Sequence, residues 1–131
     1  MISIITSLYK SDKYLPEFKE NLRKFASELT VAGVSFEVIV IANEATKEEE
    51  NLAKEFSGQN WFRFINVPRE SLYATWNRGV REATGELLGF WNVDDVRFAS
   101  AILEAKLLFE AGAMLVHFPF YIKRYLNLAF L

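Results

Sequence analysis

A parallel α/β sheet with helices on both faces is the fold this sequence predicts, and three observations predict it. Short runs of almost purely apolar, often β-branched residues recur along the chain. Segments with amphipathic helical spacing lie between them, and capping or turn residues separate the two kinds. Strands that are apolar on both sides belong to sheets buried on both faces, and the intervening helices supply the crossovers that parallel strands require. With 131 residues, 51% of them hydrophobic and 15% aromatic, the chain is expected to form a single domain over residues 1–131, with enough core to exclude disorder.

Ile2 to Ser7 reads as a buried first strand. From Tyr14 to Leu29 the residues Leu15, Phe18, Leu22, Phe25, Ala26 and Leu29 share one helical stripe, with Lys, Glu and Arg opposite. Pro16 fits the first turn of that helix, where a missing N–H costs nothing, and Gly33 marks the return. Phe36 to Ala42 is a second strand. Thr46 followed by Glu49 forms a capping-box pattern that opens a short helix to Phe56, with Glu48, Glu49 and Glu50 read as a solvated face near its positive end. Trp61 to Ile65 is a third strand. Ser71 to Thr84 is a helix with Gly85 as its left-handed terminator, Leu87 to Trp91 a fourth strand, and Ala99 to Glu110 a helix stopped by Gly112. Met114 to Phe118 is expected to be a fifth strand, with His117 buried in it as a structural residue. The tail from Tyr121 to Leu131 is too apolar to be left in water; it is expected to pack on the sheet, to seal a homodimer or partner interface, or to meet a membrane surface beside Lys123 and Arg124.

Composition excludes several function classes. A net charge of −2 argues against a nucleic-acid binder working by phosphate neutralisation. The chain has no cysteine, which removes disulfides, zinc–thiolate sites and thiol chemistry, and makes a reducing cytoplasm the default location, with membrane association left open by the tail. The N-terminus lacks a signal-peptide pattern, and no apolar run reaches the roughly 20 residues that span a bilayer, so no transmembrane segment is expected. No nucleophilic triad, phosphate-cradling glycine loop or dinucleotide fingerprint is present.

The informative stretch is Gly85 to Asp95, where an apolar strand ends in two adjacent carboxylates, Asp94 and Asp95. Such a pair repels itself unless a cation sits beside it, and a hard divalent metal shared with phosphate oxygens fits that need. The alternative is that the pair caps the following helix. Ligands of open α/β sheets bind outside the carboxyl ends of the strands. At that edge Thr6 offers a hydroxyl, and Tyr9 offers a ring that either stacks on a base or packs against the helix starting near Tyr14. Arg69 and Arg78 either reach phosphate oxygens with their forked donors or stay solvated. Arg97 follows the acidic pair as a salt-bridge partner, and Asn77 either pins a loop or touches ligand.

These pieces, taken together, resemble family 2 glycosyltransferases, in particular their nucleotide-sugar-binding half. Ile2 to Tyr9 is similar to the family's opening strand with its polar end and Tyr. Phe36 to Thr46 resembles its second strand and acidic turn. Asn77-Arg78-Gly79-Val80-Arg81-Glu82-Ala83-Thr84-Gly85-Glu86 is similar to the family's Asn-x-Gly-x-x-x-Ala-x-Gly-Glu segment, and Asn92-Val93-Asp94-Asp95 stands where the family has its metal-binding Asp-x-Asp motif. The resemblance covers roughly residues 1–118. It implies a Rossmann-like A-type glycosyltransferase fold, a nucleotide-diphosphate sugar (a UDP-sugar first) as ligand, Mg²⁺ or Mn²⁺ as cofactor, and transfer to an acceptor with inversion. It places metal at Asp94 and Asp95, and nucleotide-sugar contacts at Thr6, Tyr9, Asn43 and Asp94, to which Arg69 and Arg78 are added from their place in the sequence. Two positions depart from the pattern. Asn92 replaces the first Asp of the motif, and Asn43 stands where many members have Asp, so an amide rather than a charge would meet the base or ribose. The acceptor half, which carries the family's general base, does not fall within these residues, so no catalytic base is assigned. A minimal member, an isolated domain and a degenerate relative all remain open, as does a non-catalytic nucleotide-sugar-binding module.

Overall fold

The computed structural model describes residues 1–117. Strands and helices alternate in the expected order: β1 (Ile2–Leu8), a 3₁₀ turn (Asp12–Tyr14), α1 (Leu15–Val31), β2 (Phe36–Asn43), α2 (Lys47–Phe56), β3 (Phe62–Val67), α3 (Leu72–Glu82), β4 (Leu87–Phe90) and α4 (Ala99–Glu110). The chain divides into two compact units, Met1–Ala99 and a second that begins at Ser100. The first unit holds the whole sheet, in the order β3-β2-β1-β4 with every pair parallel. The fold is therefore the α/β class that the sequence predicts.

Strand register decides which helix each residue meets. Ile5 pairs with Ile39 and Ser7 with Ile41, while Ile4 pairs with Val38 and Thr6 with Val40, so odd and even positions lie on opposite faces. The odd face receives α3, whose Gly79 lies so close that an added Cβ would stand 2.3 Å from Ile5 Cγ2. The even face receives α1 and α2: Phe25 meets Phe36 edge-on, and Phe56 meets Phe62. Right-handed crossovers explain the division, because β1–α1–β2 and β2–α2–β3 advance one way across the sheet, whereas β3–α3–β4 returns past β1. Trp91, just beyond β4 and 1% exposed, completes the even-face core between Phe18 and Phe25, at ring distances of 5.3 Å and 5.0 Å.

The amino edge of the sheet is closed by one carboxylate. Glu37 accepts hydrogen bonds from the Ser3 hydroxyl (2.6 Å), the Thr84 backbone N–H (2.7 Å) and hydroxyl (2.8 Å), and Arg63 (3.3 Å). Burial alone would raise its pKa. The Ser3, Thr84 and Arg63 donors outweigh burial and hold the carboxyl below its ordinary range. Gly85 joins this knot by donating its N–H to Ser3 Oγ at 2.8 Å, and a Cβ there would lie 2.6 Å from the Met1 carbonyl oxygen.

Several expectations are corrected. Gly85 is not a left-handed helix terminator, since the only glycines with positive φ among the described residues are Gly33 and Gly112. Helix α3 stops instead at Ala83, which is extended at φ −66°, ψ 137°. Glu49 is not a solvated residue but fully buried. Among the described residues β4 is an edge strand whose Leu88 and Phe90 are exposed, so burial on both faces holds there for β1 and β2 only. Residues 114–117 form no strand, and His117 is exposed rather than buried. Phe118 and the tail from Tyr121 to Leu131 lie outside the described residues.

Candidate functional site

All four strands point their carboxyl ends at one edge, and the strand order reverses at β1, which is flanked by β2 on one side and β4 on the other. Open α/β sheets bind ligands at such a switch point. A cleft of about 500 Å³ opens there, lined by Ser7 and Tyr9 after β1, Asn43 at the end of β2, and Arg69, Glu70, Ser71 and Leu72 from the β3–α3 connection. That volume is of the size that accommodates a small organic ligand. The only two non-glycine residues with positive φ among the described residues, Lys10 (48°) and Glu44 (52°), lie on the connections that leave β1 and β2 at this edge. Left-handed non-glycine backbone is uncommon and gathers at ligand sites.

Two cleft residues form a platform. The Arg69 guanidinium lies 4.6 Å above the centroid of the Tyr9 ring, and Lys10 Nζ lies 5.3 Å from the same ring. Tyr9 thus faces the cleft instead of packing on α1. Arg69 is exposed and makes no ion pair among the described residues.

Other predicted residues reach the edge with their polar atoms already engaged. Asn43 is 2% exposed; its Nδ2 donates to Thr75 Oγ1 at 3.0 Å, and its Oδ1 accepts the Glu70 N–H at 2.9 Å. Its amide therefore fixes the β3–α3 connection as a cleft wall, accepting from Glu70 and donating to Thr75 without adding a charge. Arg78 grips Glu70 with two bonds, Nε to Oε1 at 2.9 Å and Nη2 to Oε2 at 3.0 Å. These bonds hold the Glu70 carboxyl below its ordinary range and raise the guanidinium. Arg78 therefore positions Glu70 at the cleft and is not a free phosphate ligand.

Thr6 is corrected outright. It lies on the even face, fully buried, and its hydroxyl has no hydrogen-bond partner among the described residues. Period-two alternation sends Ser7 and Tyr9, not Thr6, to the α3 side where the cleft opens. That alternation was the signal available for finding Ser7. For Glu70 there was none, because its place depends on bonds from Asn43 and Arg78.

The acidic turn follows β4 at the same edge but does not line the cleft. Residues 92–95 close a turn in which the Asp95 N–H donates to the Asn92 carbonyl at 3.0 Å, and Asn92 Nδ2 donates to Asp95 Oδ2 at 3.2 Å. Trp91 Nε1 donates to the Asp95 carbonyl at 2.9 Å and so ties the turn to the even-face core. Asp94 and Asp95 are exposed, and no hydrogen bond or ion pair engages the Asp94 carboxylate among the described residues. Neither caps α4, which begins at Ala99. Arg97 gives its guanidinium to the Phe90 carbonyl rather than to an ion pair, and burial lowers its pKa while Asp95 opposes the shift. Among the described residues no cluster of three metal-binding side chains exists. The two carboxylates still fit a hard cation that shares its coordination with phosphate, since such sites commonly use one or two carboxylates together with substrate phosphates.

Comparison with known proteins gives the family and matches the fold. The profile described as "Glycosyl transferase family 2" matches residues 3–124. EpsH of Bacillus subtilis (strain 168) is 24% identical over 95 residues, covering 72% of this chain and 26% of EpsH. The crystal structure of S. aureus TarS residues 1–349 in complex with UDP-GlcNAc superimposes with a TM-score of 0.69 at 19% identity, covering 84% of this chain and 31% of that one. The mannosyltransferase PcManGT of Pyrobaculum calidifontis, in complex with GDP-Man and Mn²⁺, gives a TM-score of 0.62 at 15% identity, covering 80% and 31%. The chain thus spans between a quarter and a third of the length of these relatives, and the two superpositions share its fold.

Proposed function

The chain belongs to glycosyl transferase family 2, and from that premise we propose that its sheet edge binds a nucleotide-diphosphate sugar together with Mg²⁺ or Mn²⁺, as the donor half of a sugar transfer. The observation that carries this reading is the Arg69–Tyr9 platform in a cleft at the sheet's switch point, with the acidic turn at the same edge. A nucleobase entering the cleft meets a flat stack, and base stacking on such a surface is worth about 1–3 kcal/mol. Glu70, held by Arg78 and Asn43, offers its remaining lone pairs to hydroxyl or N–H donors of the nucleoside, and Ser7 offers a hydroxyl. Arg69 forms the outer layer of the stack at the base end. Asp94 and Asp95 would hold the divalent metal, with Asn92 neutral beside them; the bound metal supplies charge neutralisation of the diphosphate and of the departing nucleotide. Thr6 takes no part in this reading. TarS and PcManGT, which are bound to UDP-GlcNAc and to GDP-Man with Mn²⁺, support the ligand class. Transfer to an acceptor, with inversion, follows from the family resemblance and belongs to the same proposal.

Thermal unfolding of the chain with uridine or guanosine diphosphate, with and without Mn²⁺, tests the reading. At a hundredfold excess over Kd, binding stabilises the folded state by about 2.7 kcal/mol. The stabilisation is expected only with metal, and it is expected to disappear in Asp94→Asn/Asp95→Asn, whose own stability should equal or slightly exceed that of the native chain because a repelling pair has been removed. Absence of any shift with either diphosphate and Mn²⁺ refutes the proposal. Unfolding of the double variant would make the two carboxylates structural.

A further inference from the structure

Glu49 lies in the most acidic run of the chain yet is fully buried. Its Oε2 accepts the Thr46 N–H at 3.0 Å, and its own N–H donates to Thr46 Oγ1 at 3.2 Å, which is an ordinary capping box. Its other oxygen does something a capping box does not require. Oε1 crosses to the segment after β1 and accepts the Ser11 N–H at 2.9 Å. Ser11 is itself 3% exposed, and its hydroxyl accepts the Tyr9 N–H at 3.0 Å. Lys10, between them, is held at φ 48°, and Thr46 Oγ1 donates to Asp12 on the same segment. A non-glycine residue keeps left-handed backbone only where its surroundings fix it. The backbone that aims the Tyr9 ring is thus fixed from the first turn of α2.

We propose that Glu49 is a positioning residue for Tyr9, so that the α2 cap sets the geometry of the base-binding end of the cleft. The inference rests on the nucleotide reading above and goes further by assigning the buried carboxylate a role at one end of the ligand only. Without the Glu49 and Ser11 acceptors, the segment from Tyr9 to Asp12 gains conformations, and the Tyr9–Arg69 stack is populated less often. The acidic turn after β4 has no bond to this segment among the described residues, so the metal and phosphate end should not feel the change.

The experiment measures Kd for three probes, each with Mn²⁺: uridine diphosphate, guanosine diphosphate and inorganic pyrophosphate. The proteins are the native chain, Glu49→Gln and Ser11→Ala. In Glu49→Gln one acceptor oxygen survives; kept on the Thr46 cap, it leaves the new amide opposite the Ser11 N–H, which loses its acceptor. The expected result is a Kd for the preferred nucleoside diphosphate raised about tenfold, corresponding to one buried hydrogen bond lost, with the pyrophosphate Kd unchanged. Ser11→Ala leaves the Glu49 bond to the Ser11 N–H in place and deletes the acceptor of the Tyr9 N–H, so it should shift Kd in the same selective way and tests the relay at its Tyr9 end if Glu49→Gln does not fold. Equal weakening of all three probes, in step with a lower Tm, would make Glu49 a stability residue and overturn the inference. Unchanged nucleotide binding in both variants would overturn it as well, while leaving the nucleotide reading intact. A native chain that binds none of the three probes removes the nucleotide reading, and the inference with it.

Discussion

At the amino edge of the sheet, Glu37 takes hydrogen bonds from Ser3, Thr84 and Arg63, and Ser3 in turn takes one from Gly85; every polar group named there has a partner inside the unit. At the carboxyl edge, by contrast, among the described residues Arg69 has only the Tyr9 ring and Asp94 has no partner, and Lys10 and Glu44 sit in left-handed backbone. Both edges belong to the same four strands and carry charged residues, so composition does not separate them. What separates them is whether the charges are neutralised locally. A closed network rigidifies and stabilises, whereas an edge with aligned but unpaired groups is suited to something that arrives from solvent. The carboxyl edge also contains its own scaffold (Asn43, Arg78, Glu49), and these residues spend their polar atoms aiming the exposed ones.

The largest effect that breaks this contrast is expected at the closed edge. Glu37→Ala leaves the Ser3, Thr84 and Arg63 donors without their acceptor and should destabilise the first unit by about 3 kcal/mol, measurable by chemical denaturation. The same carboxylate predicts a pH dependence. Its folded pKa is depressed, so its contribution is fully present above the ordinary carboxylate pKa and is lost as pH falls through the lower folded value, where the unfolded chain binds the extra proton. Glu37→Gln should therefore flatten the acid limb of stability against pH. A Glu37→Ala variant as stable as the native chain would show that the amino edge is no more closed than the other.

The elements were legible in the sequence because each strand and helix announces itself by period and cap; β1, α1, β2 and α4 lie within about two residues of their expected limits. What failed depended on register and on partners distant in sequence. Thr6 and Ser7 are adjacent small hydroxyl residues, and only strand pairing says which one turns toward α3. Glu49 was legible as the capping-box partner of Thr46, but its burial was not, because its second donor, the Ser11 N–H, is distant in sequence. Arg78 read as a phosphate ligand because the eight-residue return to Glu70 has no sequence signature. Asp94 and Asp95 stand out in the sequence as two adjacent acids at a strand end, and both are exposed there.

Thr6 offers the next contrast, since it is a polar group at the carboxyl edge that neither edge uses. Its hydroxyl is buried on the α1–α2 face beside Val40 and has no partner among the described residues. Thr6→Val, which removes only that hydroxyl's desolvation, should stabilise the chain by about 1 kcal/mol and leave nucleotide affinity unchanged. A loss of affinity would return Thr6 to the site, against its place on the even face.

The smallest effect sharpens the comparison most, because it separates holding the acidic turn from charging it. Among the described residues Trp91 is the one fully buried residue with a direct bond to the turn: its ring lies between Phe18 and Phe25, and Nε1 meets the Asp95 carbonyl at 2.9 Å. Trp91→Phe keeps an aromatic ring in that pocket and deletes the donor. The Asn92–Asp95 hydrogen bond remains, so the turn should loosen without opening. One neutral hydrogen bond contributes about 1 kcal/mol, so Mn²⁺-dependent nucleoside diphosphate binding should weaken about fivefold. Binding of the nucleoside without phosphate, which needs no metal, should not change. Isothermal titration with uridine diphosphate plus Mn²⁺, and with uridine alone, distinguishes the two. If both weaken together, the Trp91 ring acts through the core as a whole. If neither does, the turn is fixed by Asn92 alone, and the indole serves only the even-face packing.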